Sequence, residues 1–146
     1  MKKLIILDFD GTLVNTAPLI TGILNNFRAE LLLSKLNETD VIQWISAGAR
    51  TLIANSLMLP DDLVEIWLKK FREQYQLTRT PKSLVYVWAN KFLTYATTTS
   101  YRLAICSNKP EVLLDKALVD TKTNKFFSVI SGSGNKTKIN RAQSEY

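Results

Sequence analysis

Apolar and polar positions alternate between two periods along this chain, and the switches mark its elements. Residues 3–7 read as a strand buried on both faces, since the apolar run Leu4–Leu7 is continuous and not alternating. Residues 8–15 read as a loop. From residue 17 to about 36, Leu19, Ile20, Ile23, Leu24, Phe27 and Leu31 recur at helical spacing. Asn37-Glu38-Thr39-Asp40 breaks that pattern, and "VIQWISA" opens a short second helix. Gly48 interrupts, "ARTLIANSLML" resumes a helix, and Pro60 with the acidic pair Asp61-Asp62 starts another. That last helix is expected to bury Leu63, Ile66, Trp67, Phe71 and Tyr75 on one face.

"TRTPKS" (residues 78–83) is the clearest linker. A helix over about 84–97 leads into "YRLAICSN", a second buried strand with a polar end. Pro110 starts a helix through about Val119, and "FFSVISGSG" is a third strand running into a glycine-rich loop. Strands alternating with helices predict a parallel sheet with right-handed crossovers. The helical block is too large for one crossover. The expected fold is therefore α/β: a Rossmann-like parallel core (1–14 and 81–146) with an all-helical cap (15–80) inserted after the first strand.

Composition narrows the chemistry. The 146 residues are 46% hydrophobic and 22% charged, which fits a soluble globular domain. No window approaches the roughly 18 uninterrupted apolar residues of a membrane span. "MKKLIIL" imitates a secretory leader, but Asp8 cuts it short, so a cytoplasmic protein is expected. The single Cys106 excludes an intramolecular disulfide and a CxxC pair; it reads as a small core residue. The chain has no histidine, which excludes His-based triads and the usual zinc hydrolase sites. Residues 121–146 hold five Lys/Arg against one acid, and residues 1–120 hold 14 against 12. No basic stripe with exposed aromatics accompanies this tail, which argues against nucleic acid as a partner.

The chemical signal lies in "LIILDFDGTLVNT". Side chains two apart on an extended segment face the same way, so Asp8 and Asp10 converge at the strand's C-terminal end, where open α/β sheets bind ligands. Two such carboxylates repel unless a proton or a cation intervenes, and a hard dication such as Mg²⁺ resolves the conflict. Gly11 lets the backbone turn closely around an incoming group; Thr12 offers an N–H and a hydroxyl. An acidic strand exit with Gly-Thr as turn filler is the plainer alternative.

This stretch resembles the first motif, DxDGT, of the haloacid dehalogenase-like hydrolases. With "GAR.LI", "LAICSNKPEVL" and "FFSVISGSG" in order, the chain is similar to the phosphoglycolate phosphatase-like members with helical caps, over about Lys3 to Lys138. The resemblance implies an Mg²⁺-dependent phosphatase acting on a small phosphorylated metabolite. Asp8 would be the nucleophile that forms an aspartyl-phosphate, and Asp10 would protonate the leaving oxygen and then activate water. Asp8 and Asp10 would also hold the metal. Ser107 and Asn108 match the second motif and would hold phosphoryl oxygens; as an alternative, either could cap the next helix. Lys138, with Lys136 second, matches the phosphate-neutralising lysine, although Ile139 stands where the family usually has proline. A solvated tail lysine is equally compatible. Arg50 with Gly48 matches a substrate-selecting loop, or is a surface arginine. Trp44, Trp67 and Trp88 fit helical apolar patterns and read as core.

The family's fourth motif, an acidic pair after a fourth strand, has no counterpart. After Asn108 the acids are Glu111, Asp115, Asp120 and Glu145, none in a strand–acid pattern. The chain thus reads as C-terminally truncated, with the first strand open on one side to self-association. The resemblance leaves three accounts open: an active phosphatase, an impaired remnant, or a non-catalytic binding module using the open edge.

Overall fold

The computed structural model describes residues 3–134 and the backbone of residues 138 and 139. In chain order its elements are β1 (Leu4–Leu7), α1 (Ala17–Glu30), α2 (Glu38–Ile45), α3 (Ala49–Leu57) and α4 (Asp61–Leu77). After them come α5 (Val87–Ala96), β2 (Arg102–Pro110), α6 (Glu111–Asp120), β3 (Val129–Ser133) and β4 (Lys138–Ile139). The chain divides into two compact units, Met1–Asn15 with Thr80–Tyr146, and Thr16–Arg79.

The first unit is a sheet of order β1-β2-β3-β4, in which β1, β2 and β3 run parallel and β4 is antiparallel to β3. The α/β fold class expected from the alternating pattern is therefore the one observed. Leu7 stands opposite Ile105, so β1 ends level with the middle of β2, whose residues 106–110 run on past it. Leu103 and Ile105 from β2 and Ile130 from β3 meet Ala89 and Leu93 of α5 and Leu114 and Leu118 of α6 in one buried cluster with Phe9 and Leu13. That burial fixes the register, because a slip of one residue would turn every inward side chain outward.

β1 departs from its expected burial. Among the described residues it pairs with β2 alone, and Leu4 and Ile6 are 56% and 62% exposed while Ile5 and Leu7 pack against the core. A continuous apolar run promises cover on both faces, and here the face of Leu4 and Ile6 stays largely exposed. Cys106 is exposed as well, not a core residue, because it lies beyond the covered stretch Leu103–Ile105.

Gly132 is a strand residue, not part of a loop after it. A Cβ there would stand 2.6 Å from Glu111 Cα and 2.8 Å from both Glu111 N and the Lys109 carbonyl oxygen. All three neighbours are backbone and cannot yield as a flexible side chain would. β3 and the start of α6 thus approach as closely as only glycine permits.

The second unit holds α1 to α4. α1 ends at Glu30, short of the expected 36, because Leu31–Leu33 turn out of the helix, with Leu32 at φ 57° and 94% exposed. The Asn25 side chain bonds both the N–H and the carbonyl of Leu36, and the buried Arg28 guanidinium donates to the Ser34 and Ser56 carbonyls. The Asn37–Asp40 stretch starts α2 rather than breaking a helix: the Asp40 carboxylate accepts the Asn37 N–H at 3.0 Å. On α4, Val64, Trp67, Leu68, Phe71 and Tyr75 are buried, whereas Leu63 and Ile66, expected inside, are exposed. Trp67 meets Phe27 edge-on at 5.4 Å. Trp44 is half-buried, and Trp88, also expected in the core, is 50% exposed. Among the described residues no helix is long and apolar enough to cross a membrane.

The contact at Gly132 sets a test of the sheet unit. Gly132→Ala is expected to lower unfolding free energy by about 1–3 kcal/mol, the usual cost of overpacking against atoms that cannot move, measured by urea unfolding. A midpoint equal to the wild type's would show that β3 and α6 separate freely.

Candidate active site

The loop after β1 is built around a buried phenylalanine. Phe9 is fully buried between two carboxylates, so alternation along the extended chain sends Asp8 and Asp10 away from the core. Asp8 is exposed, and one of its oxygens accepts the Phe9 N–H at 2.7 Å. The chain then reverses tightly. Gly11 N–H donates to the Val14 carbonyl at 2.9 Å, and the Leu13 and Val14 N–H groups share the Phe9 carbonyl at 3.1 Å each. Gly11 has φ +75° with no atom within 4 Å of where a Cβ would stand, so the left-handed backbone selects glycine here, not crowding. Thr12 is half-buried in the same turn.

Asp10 takes a different environment from Asp8. Its Oδ2 lies 3.1 Å from the Lys109 Nζ, with only 16% and 8% of the two side chains exposed. Its Oδ1 is buried and meets no hydrogen-bond partner among the described residues. Lys109 comes from the end of β2, where the register against β3 shifts between Cys106 and Pro110. Such irregularities re-aim side chains at the rims of sheets. The Ser107 Oγ accepts the Lys109 N–H at 3.2 Å, and Asn108 is exposed. Neither residue caps α6. Its N-cap position is Pro110, with no side-chain cap bond, so the plainer reading of Ser107 and Asn108 does not apply.

Asp8, Asp10, Gly11, Thr12, Ser107 and Asn108 therefore lie on two adjoining strand ends of one unit. The remaining candidates fare differently. The backbone of Lys138 belongs to β4, opposite Ile130, and its side chain lies outside the described residues, as does Lys136 altogether. Arg50 belongs to the helical unit, where its Nη2 pairs with Asp61 at 2.9 Å and its Nε with Glu65 at 3.0 Å. The bond to Asp61, then Asp61's charge and the bond to Glu65, raise the guanidinium above its ordinary value. Arg50 thus bridges α3 and α4 through two exposed ion pairs.

Lys109 escaped the sequence reading, although a signal was present. Ser107 and Lys109 are spaced i, i+2 beyond a buried strand, as Asp8 and Asp10 are, and the two pairs end parallel neighbours.

The donor chemistry of this corner suits a hard cation: Asp8 offers carboxylate oxygens and Asp10 a backbone carbonyl, and the buried Oδ1 of Asp10 meets no hydrogen-bond partner among the described residues. The set is sparse: among the described residues no group of three or more His, Cys, Asp or Glu side chains could enclose an ion. Water or a substrate oxygen would have to complete the shell.

The sequence matches the haloacid dehalogenase-like hydrolase family over residues 5–140. The chain belongs to that family. It is 26% identical to a phosphoglycolate phosphatase of Colwellia psychrerythraea, covering 90% of this chain and 62% of that protein. It is 32% identical to one of Rhodospirillum rubrum, covering 76% and 50%. This chain thus matches about half to three fifths of those relatives' lengths. In three dimensions it resembles a predicted phosphoglycolate phosphatase from Haemophilus somnus 129pt (TM-score 0.74, 24% identity, 94% of this chain and 65% of that one). It also resembles a haloacid dehalogenase-like family protein from Streptococcus pneumoniae (TM-score 0.74, 18% identity, 91% and 62%). These two likenesses establish the fold.

Replacing Lys109 takes its ion-pair partner from the largely buried Oδ2 of Asp10. Lys109→Met is therefore expected to lower stability by about 3 kcal/mol, and the double change Asp10→Asn/Lys109→Met to recover most of that loss. Chemical denaturation of the three proteins is the measurement. Equal stability of Lys109→Met and wild type would mean that the pair is solvated.

Proposed function

We propose that this protein is an Mg²⁺-dependent phosphatase of small phosphomonoesters, with Asp8 as nucleophile. The observation that carries the reading is the split in environment between the two carboxylates. Asp8 projects into solvent at the end of β1, open to an incoming phosphoryl group, while Asp10 is held beside it by Lys109. Names of the relatives, phosphoglycolate phosphatases, support a phosphoglycolate-like substrate.

The chemistry rests on the two roles. An Asp8 oxygen attacks phosphorus as the bond to the leaving oxygen breaks, and Asp10, carrying a proton on Oδ1 while Lys109 holds Oδ2, delivers that proton to the leaving oxygen. Water then attacks the phosphorus of the acyl phosphate and gives a proton to Asp10; phosphate leaves and Asp8 is restored. Gly11 and Thr12 in the turn, with Ser107 and Asn108 at the end of β2, would receive the phosphoryl oxygens through N–H and side-chain donors. Lys138 would add a positive charge. Arg50 is left out of this set, because Asp61 and Glu65 occupy its fork. Asp8 and Asp10 would hold Mg²⁺, which supplies charge neutralisation between carboxylate and phosphate when bound. The helical unit, inserted between β1 and β2, would act as the cap that selects the substrate, and the cytoplasm is the proposed place of work.

One observation favours a second role. With Leu4 and Ile6 exposed and β1 paired only with β2 among the described residues, the edge would accept a strand from another copy. Sedimentation velocity would show a dimer that Leu4→Lys/Ile6→Lys returns to monomer; a wild-type monomer across the accessible concentrations excludes it.

The reaction itself is tested by phosphate release from p-nitrophenyl phosphate. Release is expected to require added Mg²⁺ and to fall at least about 100-fold in Asp8→Asn, as loss of a nucleophile demands. Folded protein with no release above the Asp8→Asn background would favour the impaired or binding-only accounts.

A further inference from the structure

Lys109 is a lysine with only 8% of its side chain exposed, at the rim of a sheet. A buried ion pair is weak evidence for stability, since apolar side chains of similar volume often serve as well. Its placement is nonetheless tightly controlled. The Lys109 N–H is taken by the Ser107 Oγ, and its carbonyl lies against Gly132, where a Cβ would come within 2.8 Å. The backbone that launches the side chain is thus fixed from β2 itself and from β3. At the far end the ammonium reaches Asp10 Oδ2 and lies 5.8 Å from the centre of the Phe9 ring, the residue that separates the two carboxylates.

We propose that Lys109 is a positioning residue for Asp10: it holds Oδ2 and so fixes the rotamer that presents this carboxyl group to the leaving oxygen. Oδ1, with no hydrogen-bond partner among the described residues, has no comparable restraint, so Lys109 governs the orientation. The inference rests on the phosphatase reading above and adds a residue to it. In the transfer step the proton moves from Asp10 to the leaving oxygen while the Asp8 oxygen gains the phosphoryl group. Lys109 neither gives nor takes a proton.

A residue that acts only through proton delivery matters in proportion to the leaving group's need for a proton. p-Nitrophenolate leaves without one, whereas an alkoxide does not. The experiment compares kcat/KM for p-nitrophenyl phosphate and for a simple alkyl phosphate, because kcat/KM reports the first chemical step. Lys109→Met is expected to lower the alkyl value by about tenfold or more beyond its effect on the aryl value, within the range that general acid catalysis commands. Lys109→Arg should restore part of the difference, and Asp10→Asn/Lys109→Met should match Asp10→Asn alone. Where Lys109→Met does not fold, Lys109→Arg and the uncharged double variant carry the comparison. Equal losses on both substrates, no loss on either, or additive effects in the double variant overturn the proposal while leaving the phosphatase reading intact. Wild-type protein without Asp8-dependent turnover overturns that reading, and the role of Lys109 falls with it.

Discussion

Parallel pairing of β1 with β2 is the constraint on which the rest of this site depends. Leu7 is opposite Ile105, so the chain leaves both strands on the same rim, and the two exit segments meet there. β1 exits into Asp8-Phe9-Asp10, and the covered part of β2 gives way to Ser107-Asn108-Lys109. Leu103 and Ile105, both buried, hold β2 in register, and Phe9, wholly buried, anchors the turn from below. The hydrophobic core thus does the aiming. Charged groups converge because the apolar residues beside them have only one place to go.

The electrostatic consequence is an asymmetry between two chemically identical side chains. Carboxylates two residues apart at a strand end cannot share one environment without cost. Here one is answered by a lysine and largely buried, while the other stays in water and bonds the next N–H. Division of labour between a nucleophile and a proton carrier needs such a difference, since one must be reachable and the other held. The cost falls on the fold, which must seat a lysine ammonium where an apolar group would pack more simply.

Most of the architecture was legible because periodicity and turn chemistry agreed. Asp8-Phe9-Asp10-Gly11 announced a strand exit, Pro60 with Asp61 and Asp62 announced α4, and the alternation of elements announced a parallel sheet. The failures share a physical origin. Leu31–Leu33 continue a helical pattern in composition but turn out of α1, and Asn25 and Arg28 bond the backbone of Leu36 and Ser34 in the segment that follows. Leu4, Ile6, Cys106 and Trp88 are apolar yet exposed, since apolarity alone does not say whether a neighbour exists to cover it. Lys109 was missed because lysine is common on surfaces, and only strand pairing reveals which one faces a carboxylate. The ion pairs of Arg50 were hidden for a similar reason: its partners, Asp61 and Glu65, lie on another helix.

The central claim is that Asp8 is a nucleophile and not merely a metal ligand or an acidic strand exit. It is tested most directly by acid-quenching the protein during turnover of a phosphomonoester with Mg²⁺, then mapping any acyl phosphate by peptide mass spectrometry. The account predicts one phosphoryl group on the peptide holding Asp8, assigned to that residue and absent from Asp8→Asn. Turnover without a trapped phosphoryl group, or a phosphoryl group on Asp10 or elsewhere, would contradict it.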